Sequence, residues 1–214
     1  MNQEEVIEKT KEFVKSKLEG EGSGHDYWHI HKVWANAVNI AKEEKADLFV
    51  VELGALLHDI ADWKFHALDV GPRIAREHLK SLGVSNEIIE HVCDIIDAVS
   101  FKGAGNEKPM KTIEGKIVRD ADRLEALGAI GIARCFAYGG YKGNPIYVPN
   151  LKVRNNLKFE EYKKESSQIN HFYEKLLLLK DLMLTETGKK LALGRHEFIE
   201  NYLKQFFMEW EGKA

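Results

Sequence analysis

Histidine and aspartate gather in three segments of this 214-residue chain. His25, His29 and His31 crowd the start of one helical stretch. His58-Asp59 closes a strongly apolar one, with Asp62 three residues on. Arg119-Asp-Ala-Asp-Arg-Leu124 lies inside a third. A charge buried among apolar residues must be neutralised, paired or metal-bound. His29 stands four residues before Val33, the first position of an apolar stripe, and should face the same way. Asp122 has Val118, Ala126 and Ala129 at i−4, i+4 and i+7, a spacing that predicts a carboxylate on an apolar face. Asp120, with Lys116 and Leu124 around it, is less clearly inward. Each group alone has a plain reading. His29 alone would be a core histidine. His58 would sit favourably at a helix C-terminus, with Asp59 capping the next turn. Asp122 would pair with Arg119 or Arg123. Together, two imidazoles and two carboxylates can converge on one divalent cation with open positions. That nitrogen and oxygen set suits Mn²⁺, Fe²⁺, Co²⁺, Ni²⁺ or Zn²⁺ better than a purely oxygen-preferring ion. Open positions allow a metal to acidify water and polarise a phosphoryl oxygen.

The elements that must position these groups are helices. Residues 3–18 read as an amphipathic helix carrying Val6, Phe13, Val14 and Leu18 near one face, stopped by Glu19-Gly-Glu-Gly-Ser-Gly24. A second helix runs from about Asp26 to Glu44 and buries Val33, Ala37, Ile40 and Ala41. Asp47 is the expected N-cap of a third, LFVVELGALLH, apolar nearly all round and therefore central. Further helices are expected over 71–82 and 85–100, and from near Thr112 past Ile132. The stretch 138–162, rich in glycine and proline, reads as a loop or lid. Two helices, about 164–187 and 188–210, complete the chain. No strand pattern or repeat is found. The expected fold is all-α: a single compact helical bundle over 1–214 with additional C-terminal helices.

Composition limits the function classes. The formal charge of −3 gives no electrostatic case for binding nucleic acid. Apolar runs such as Leu176 to Leu179 fall far short of the roughly 20 residues a membrane span needs. The acidic, amphipathic start is unlike a secretory signal. Cys93 and Cys135 sit in no metal spacing and are too few for a disulfide scaffold. A cytoplasmic location is the expectation.

The ordered set His29, His58-Asp59, Asp122 in an all-α chain resembles the HD-domain superfamily of metal-dependent phosphohydrolases, over roughly residues 20–210. Longer strings resemble a small bacterial branch of nucleotide pyrophosphohydrolases. They are HDYWHIHKVW, ALLHDIADWKF, SFKG, RDADRLEALGAIGIARCF and the tail LMLTETGKKLALGRHEFIENYL. The resemblance implies that His29, His58, Asp59 and Asp122 are metal ligands, with Asp120 as the alternative last ligand. It puts Asp59 and Asp62 in catalysis, orienting water or acting on the leaving group. Asp62 stands where related enzymes carry Glu or Asp.

Lys64, Lys102 and Arg123 are candidates to hold phosphate. His91 would serve phosphate or a second metal, as in some members of the superfamily. Trp28, Trp34 and Trp63 flank the ligand segments. The branch implies hydrolysis of a nucleoside or deoxynucleoside triphosphate to monophosphate and pyrophosphate by a metal-activated water. Manganese is the expected metal, with Mg, Co, Ni, Fe or Zn as alternatives. A monophosphatase, a phosphodiester hydrolase and a non-enzymatic nucleotide sensor are the rival readings. The apolar HFYEKLLLLKDLM segment is explained equally by packing or by a homodimer interface.

Overall fold

The computed structural model describes residues 1–18, 26–61, 70–99, 108–154 and 166–214. His25, Asp62, Trp63, Lys64, Lys102 and residues 155–162 of the expected lid lie outside them. Among the described residues there is no strand, as expected for an all-α chain. Among the same residues no helix is long and apolar enough to cross a membrane. Two compact units divide the chain, Met1–Asp122 and Arg123–Ala214.

The N-terminal unit holds α1 (Gln3–Leu18), α2 (Tyr27–Glu44), α3 (Leu48–Leu57), α4 (Val70–Ser81), α5 (Asn86–Val99) and most of α6 (Ile113–Glu125). Asp47 starts α3 by accepting from the backbone N–H groups of Phe49 and Val50, as its position predicts. Apolar on nearly all sides, α3 can only be satisfied at the centre. Val51, Leu53, Ala55 and Leu57 are wholly buried there, and α1, α2 and α5 pack around the helix. Trp34 on α2 donates to Glu52 of α3 at 2.9 Å, and Lys11 of α1 lies over its ring. Burial of Val33, Ala37, Ile40 and Ala41 follows the expected stripe of α2.

The C-terminal unit holds α7 (Gly128–Lys142), α8 (Gln168–Glu174), a 3₁₀ helix (Leu176–Leu182) and α9 (Glu186–Trp210). Three expectations need correction here. The helix expected to run from Thr112 past Ile132 is broken between α6 and α7. Gly128 sits there at φ +70°, a turn conformation that suits glycine. Residues 138–142 are not loop: Gly139 and Gly140 lie inside α7, which ends at Gly143 in the left-handed region. A Cβ at Gly139 would meet the Gln168 side chain at 2.3 Å, so glycine is there for close packing rather than as a breaker.

The single helix expected over 164–187 is instead α8, capped by Ser167, followed by the 3₁₀ segment. A threefold repeat puts i and i+3 on one face. Leu176 and Leu179 are accordingly buried while Leu178 is exposed. The segment 145–154 is tied to α8. Gln168 and Ile169 donate backbone N–H groups to Pro145 and Ile146, and the Asn170 amide donates to the Leu151 carbonyl.

Both cysteines are free and buried. Burial pushes the Cys135 thiol up to about 12, and raises that of Cys93 as well. Since the thiolate is the nucleophile, alkylation by iodoacetamide at pH 8 is expected to be negligible in the native protein. Mass spectrometry should show two additions in urea. Fast native labelling at either site would contradict this packing.

Candidate metal centre

Three helix ends in the N-terminal unit deliver the histidine and aspartate groups to one place. Asp26 caps α2 by accepting from the His29 backbone N–H at 3.0 Å, which fixes where the helix starts. The His29 ring, 3% exposed, faces inward with Ile30 and Val33. His58 closes α3. Its Nδ1 lies 2.8 Å from the Ala55 carbonyl oxygen. A carbonyl can only accept, so Nδ1 carries the proton and Nε2 presents its lone pair. Asp59 follows in the turn after α3, and Asp122 arrives on α6.

The resulting cluster has near-equal spacings. His29 Nε2 lies 3.8 Å from Asp59 Oδ2 and 3.6 Å from Asp122 Oδ1. His58 Nε2 lies 3.8 Å from each of the same oxygens. The two rings meet edge to face at 5.5 Å. These separations exceed hydrogen-bond length. They suit donor atoms that share an ion rather than donors bonded to each other. His58 Nε2 is buried and makes no hydrogen bond among the described residues. An orphaned imidazole nitrogen facing two carboxylates fits a cation that completes the set. His29, His58 and Asp59 offer ligand atoms within 4.8 Å of one another. Asp122 joins them through its contacts to both rings, and its carboxylate is 37% exposed, so the cluster reaches solvent on that side.

Asp120 is wholly buried, whereas Asp122 is not. The apolar-face argument for Asp122 therefore needs correction: Ala126 is half-buried, and Ala129 is exposed beyond the end of α6. Burial singles out Asp120, and contact with the histidines singles out Asp122. The Arg119 guanidinium donates to the Ala98 and Lys108 carbonyls, and Arg123 donates to the Leu182 carbonyl.

His91 is not gathered into the cluster. Its Nε2 is 2.9 Å from Thr112 Oγ1 and 3.7 Å from Glu114, at the start of α6. Glu114 lies eight residues from Asp122, roughly 12 Å along a helix. His31 stays among the rings of Tyr27, Trp28 and Trp34. Two positioning groups escaped the sequence reading. The Asp26 cap was signalled by Asp three residues before His29. The Ala55 carbonyl carries no side-chain signal at all.

A family model described as HD domain matches residues 27–127, a span that contains all four clustered residues. The chain is 39% identical to YpgQ of Bacillus subtilis over 207 residues, 96% of this chain and 94% of that protein. Its fold matches the crystal structure of an HD-superfamily hydrolase from Bacillus thuringiensis. The TM-score is 0.80 and the identity 43%, covering 98% of this chain and 99% of the other. Bacillus subtilis YpgQ in complex with ADP matches with a TM-score of 0.77 and 36% identity, over 97% and 100% of the two chains.

Proposed function

The chain belongs to the HD-domain family of metal-dependent phosphohydrolases, and we propose that it cleaves nucleoside or deoxynucleoside triphosphates to the monophosphate and pyrophosphate. The observation that carries the chemistry is the orphaned His58 Nε2 facing Asp59 and Asp122 beside His29. Support for a nucleotide comes from YpgQ, a full-length relative whose crystal structure holds ADP.

His29, His58, Asp59 and Asp122 would hold the divalent ion, with manganese preferred and Mg, Fe, Co, Ni or Zn compatible with the same donors. Such an ion supplies Lewis acidity toward phosphorus and makes water more acidic. The chain's own part is positional. The Ala55 carbonyl fixes the His58 tautomer, and the α2 cap fixes His29. Asp59 and Asp62 orient the attacking water. In the reaction the water oxygen bonds to the α-phosphorus and the α–β bridging P–O bond breaks. Pyrophosphate then leaves with the bridging oxygen. Lys64 and Lys102 are proposed to hold the phosphates by charge-assisted hydrogen bonds. Arg123 and His91 are weaker in that role, because each already meets a partner within the fold.

The test separates products. Metal-stripped protein is given ATP, dATP, GTP, dGTP, dTTP, dCTP or AMP with Mn²⁺, Mg²⁺, Co²⁺ or Zn²⁺, and phosphate and pyrophosphate are measured apart. Pyrophosphate from triphosphates is expected. Phosphate released from AMP would replace this reading with a monophosphatase. Tight nucleotide binding without turnover would replace it with a sensor.

A further inference from the structure

The Gly139-Gly140 pair and two nearby carboxamides belong to a feature of the C-terminal unit that contains none of the proposed metal ligands. A cavity of about 350 Å³ opens between α7, the segment after it, the start of α8 and the end of α9. Its walls are the rings of Phe136, Tyr202 and Phe206. Phe136 and Tyr202 meet edge to face at 6.1 Å, and Tyr202 and Phe206 lie at 6.3 Å. Asn144 and Gln168 supply its polar groups, and none of the described lining residues carries a charge. That size and that mixture, mostly aromatic with a few placed polar groups, characterise small-molecule sites.

The carboxamides are the informative part. Gln168 is 5% exposed. Its Oε1 accepts from Cys135 Sγ at 3.3 Å, while its amide nitrogen makes no hydrogen bond among the described residues. The half-buried Asn144 carboxamide makes none either. An amide N–H that the protein leaves unpaired can donate to a bound ligand. Gly139 is what lets the Gln168 side chain lie this close to α7. At Gly140, which lines the cavity, an added Cβ would meet nothing within 4 Å. One glycine admits the amide and the other keeps the space open.

The geometry points to a binding site for an uncharged nitrogen heterocycle of nucleobase type. Aromatic rings stack on its faces. Carboxamides pair with a donor–acceptor edge, as Asn and Gln do with adenine. An anionic group gains nothing from this lining, so the ring rather than a phosphate is what the cavity recognises. The inference does not rest on the hydrolase reading, because each residue named belongs to the C-terminal unit and none is a proposed metal ligand.

Adenine is titrated into the full-length chain in EDTA and followed by calorimetry and saturation-transfer NMR, with toluene as the ring that lacks a hydrogen-bonding edge. Saturable one-to-one binding of adenine is expected. Gly140→Leu, which fills the cavity, and Asn144→Leu, which removes an edge partner, should each weaken binding by about tenfold or more. Gly140→Leu replaces a helical glycine by a better helix former in open space, so its melting temperature should not fall. Absence of saturable binding would overturn the proposal, as would adenine binding indifferent to Gly140→Leu, or toluene binding as well as adenine. Metal is absent throughout, so failure here and failure of the pyrophosphate assay are separate events.

Discussion

Asp59→Asn is expected to lower metal-dependent turnover by a hundredfold or more, on the order of the upper end of losses seen when a supporting group around a metal is removed. The metal-free fold should survive intact. Two carboxylates, Asp59 and Asp122, converge on the same pair of imidazole nitrogens. Without a cation their charges repel, so neutralising one relieves that repulsion. Asp59 also sits in the turn after α3 and is only half-buried, so an isosteric amide causes no packing defect. In thermal melts the wild type should gain stability on adding Mn²⁺ by mass action. Asp59→Asn should gain little, yet melt no lower than wild type in EDTA. Asp122→Asn should behave alike. Asp120→Asn should not: it alters a wholly buried carboxylate and should lower the melt with or without metal. Full Mn²⁺ stabilisation of Asp59→Asn would remove Asp59 from the ligand set.

That contrast also shows where the sequence was legible. The apolar period of α2 and the all-round apolarity of α3 announced both helices and their inward positions, and Asp47 announced the start of α3. These signals are local, a matter of side-chain period and a cap. Asp122 was selected partly for a poor reason. Its spacing to Ala126 and Ala129 assumed that α6 continued, but the helix ends at Glu125 and Gly128 turns the chain. Helix ends inside an apolar run depend on tertiary packing, which one sequence does not display. Gly139-Gly140 misled for a related reason. A glycine required by a neighbouring side chain looks the same in sequence as one required by a turn. The Leu176–Leu182 segment has a run of leucines that permits either helix type. The 3₁₀ form taken over Leu176–Leu182 has no signal in that run.

The largest expected stability effect lies at Arg154, which the motif reading never touched. Its backbone N–H and Nε donate to Glu174 Oε1 at 3.1 and 2.9 Å, and Nη2 donates to Oε2 at 2.8 Å. The Glu174 side chain is 1% exposed. Burial by itself would raise the Glu174 carboxyl, but the hydrogen bonds and charge of Arg154 outweigh it and hold it below the usual range. A lowered carboxyl pKa stabilises the fold above the unfolded value, and that stabilisation fades as pH falls through the folded one. Arg154→Met strands a buried carboxylate and should cost about 3–5 kcal/mol at pH 7. In this variant burial is no longer opposed by the guanidinium, so the carboxyl moves upward and protonates early on acidification. The variant therefore loses its penalty as pH falls, while the wild type loses its advantage. Urea denaturation at pH 7 and pH 4, followed by circular dichroism, should show a wide gap between the two proteins that narrows in acid. Adding Glu174→Gln to Arg154→Met removes the stranded charge and should recover much of the loss at pH 7. A gap that stays constant with pH, or a double variant no better than the single one, would mean that Arg154 acts through packing alone. In that case the tie between the 145–154 segment and α8 would rest on the backbone bonds of Gln168 and Ile169 and on the Asn170 amide.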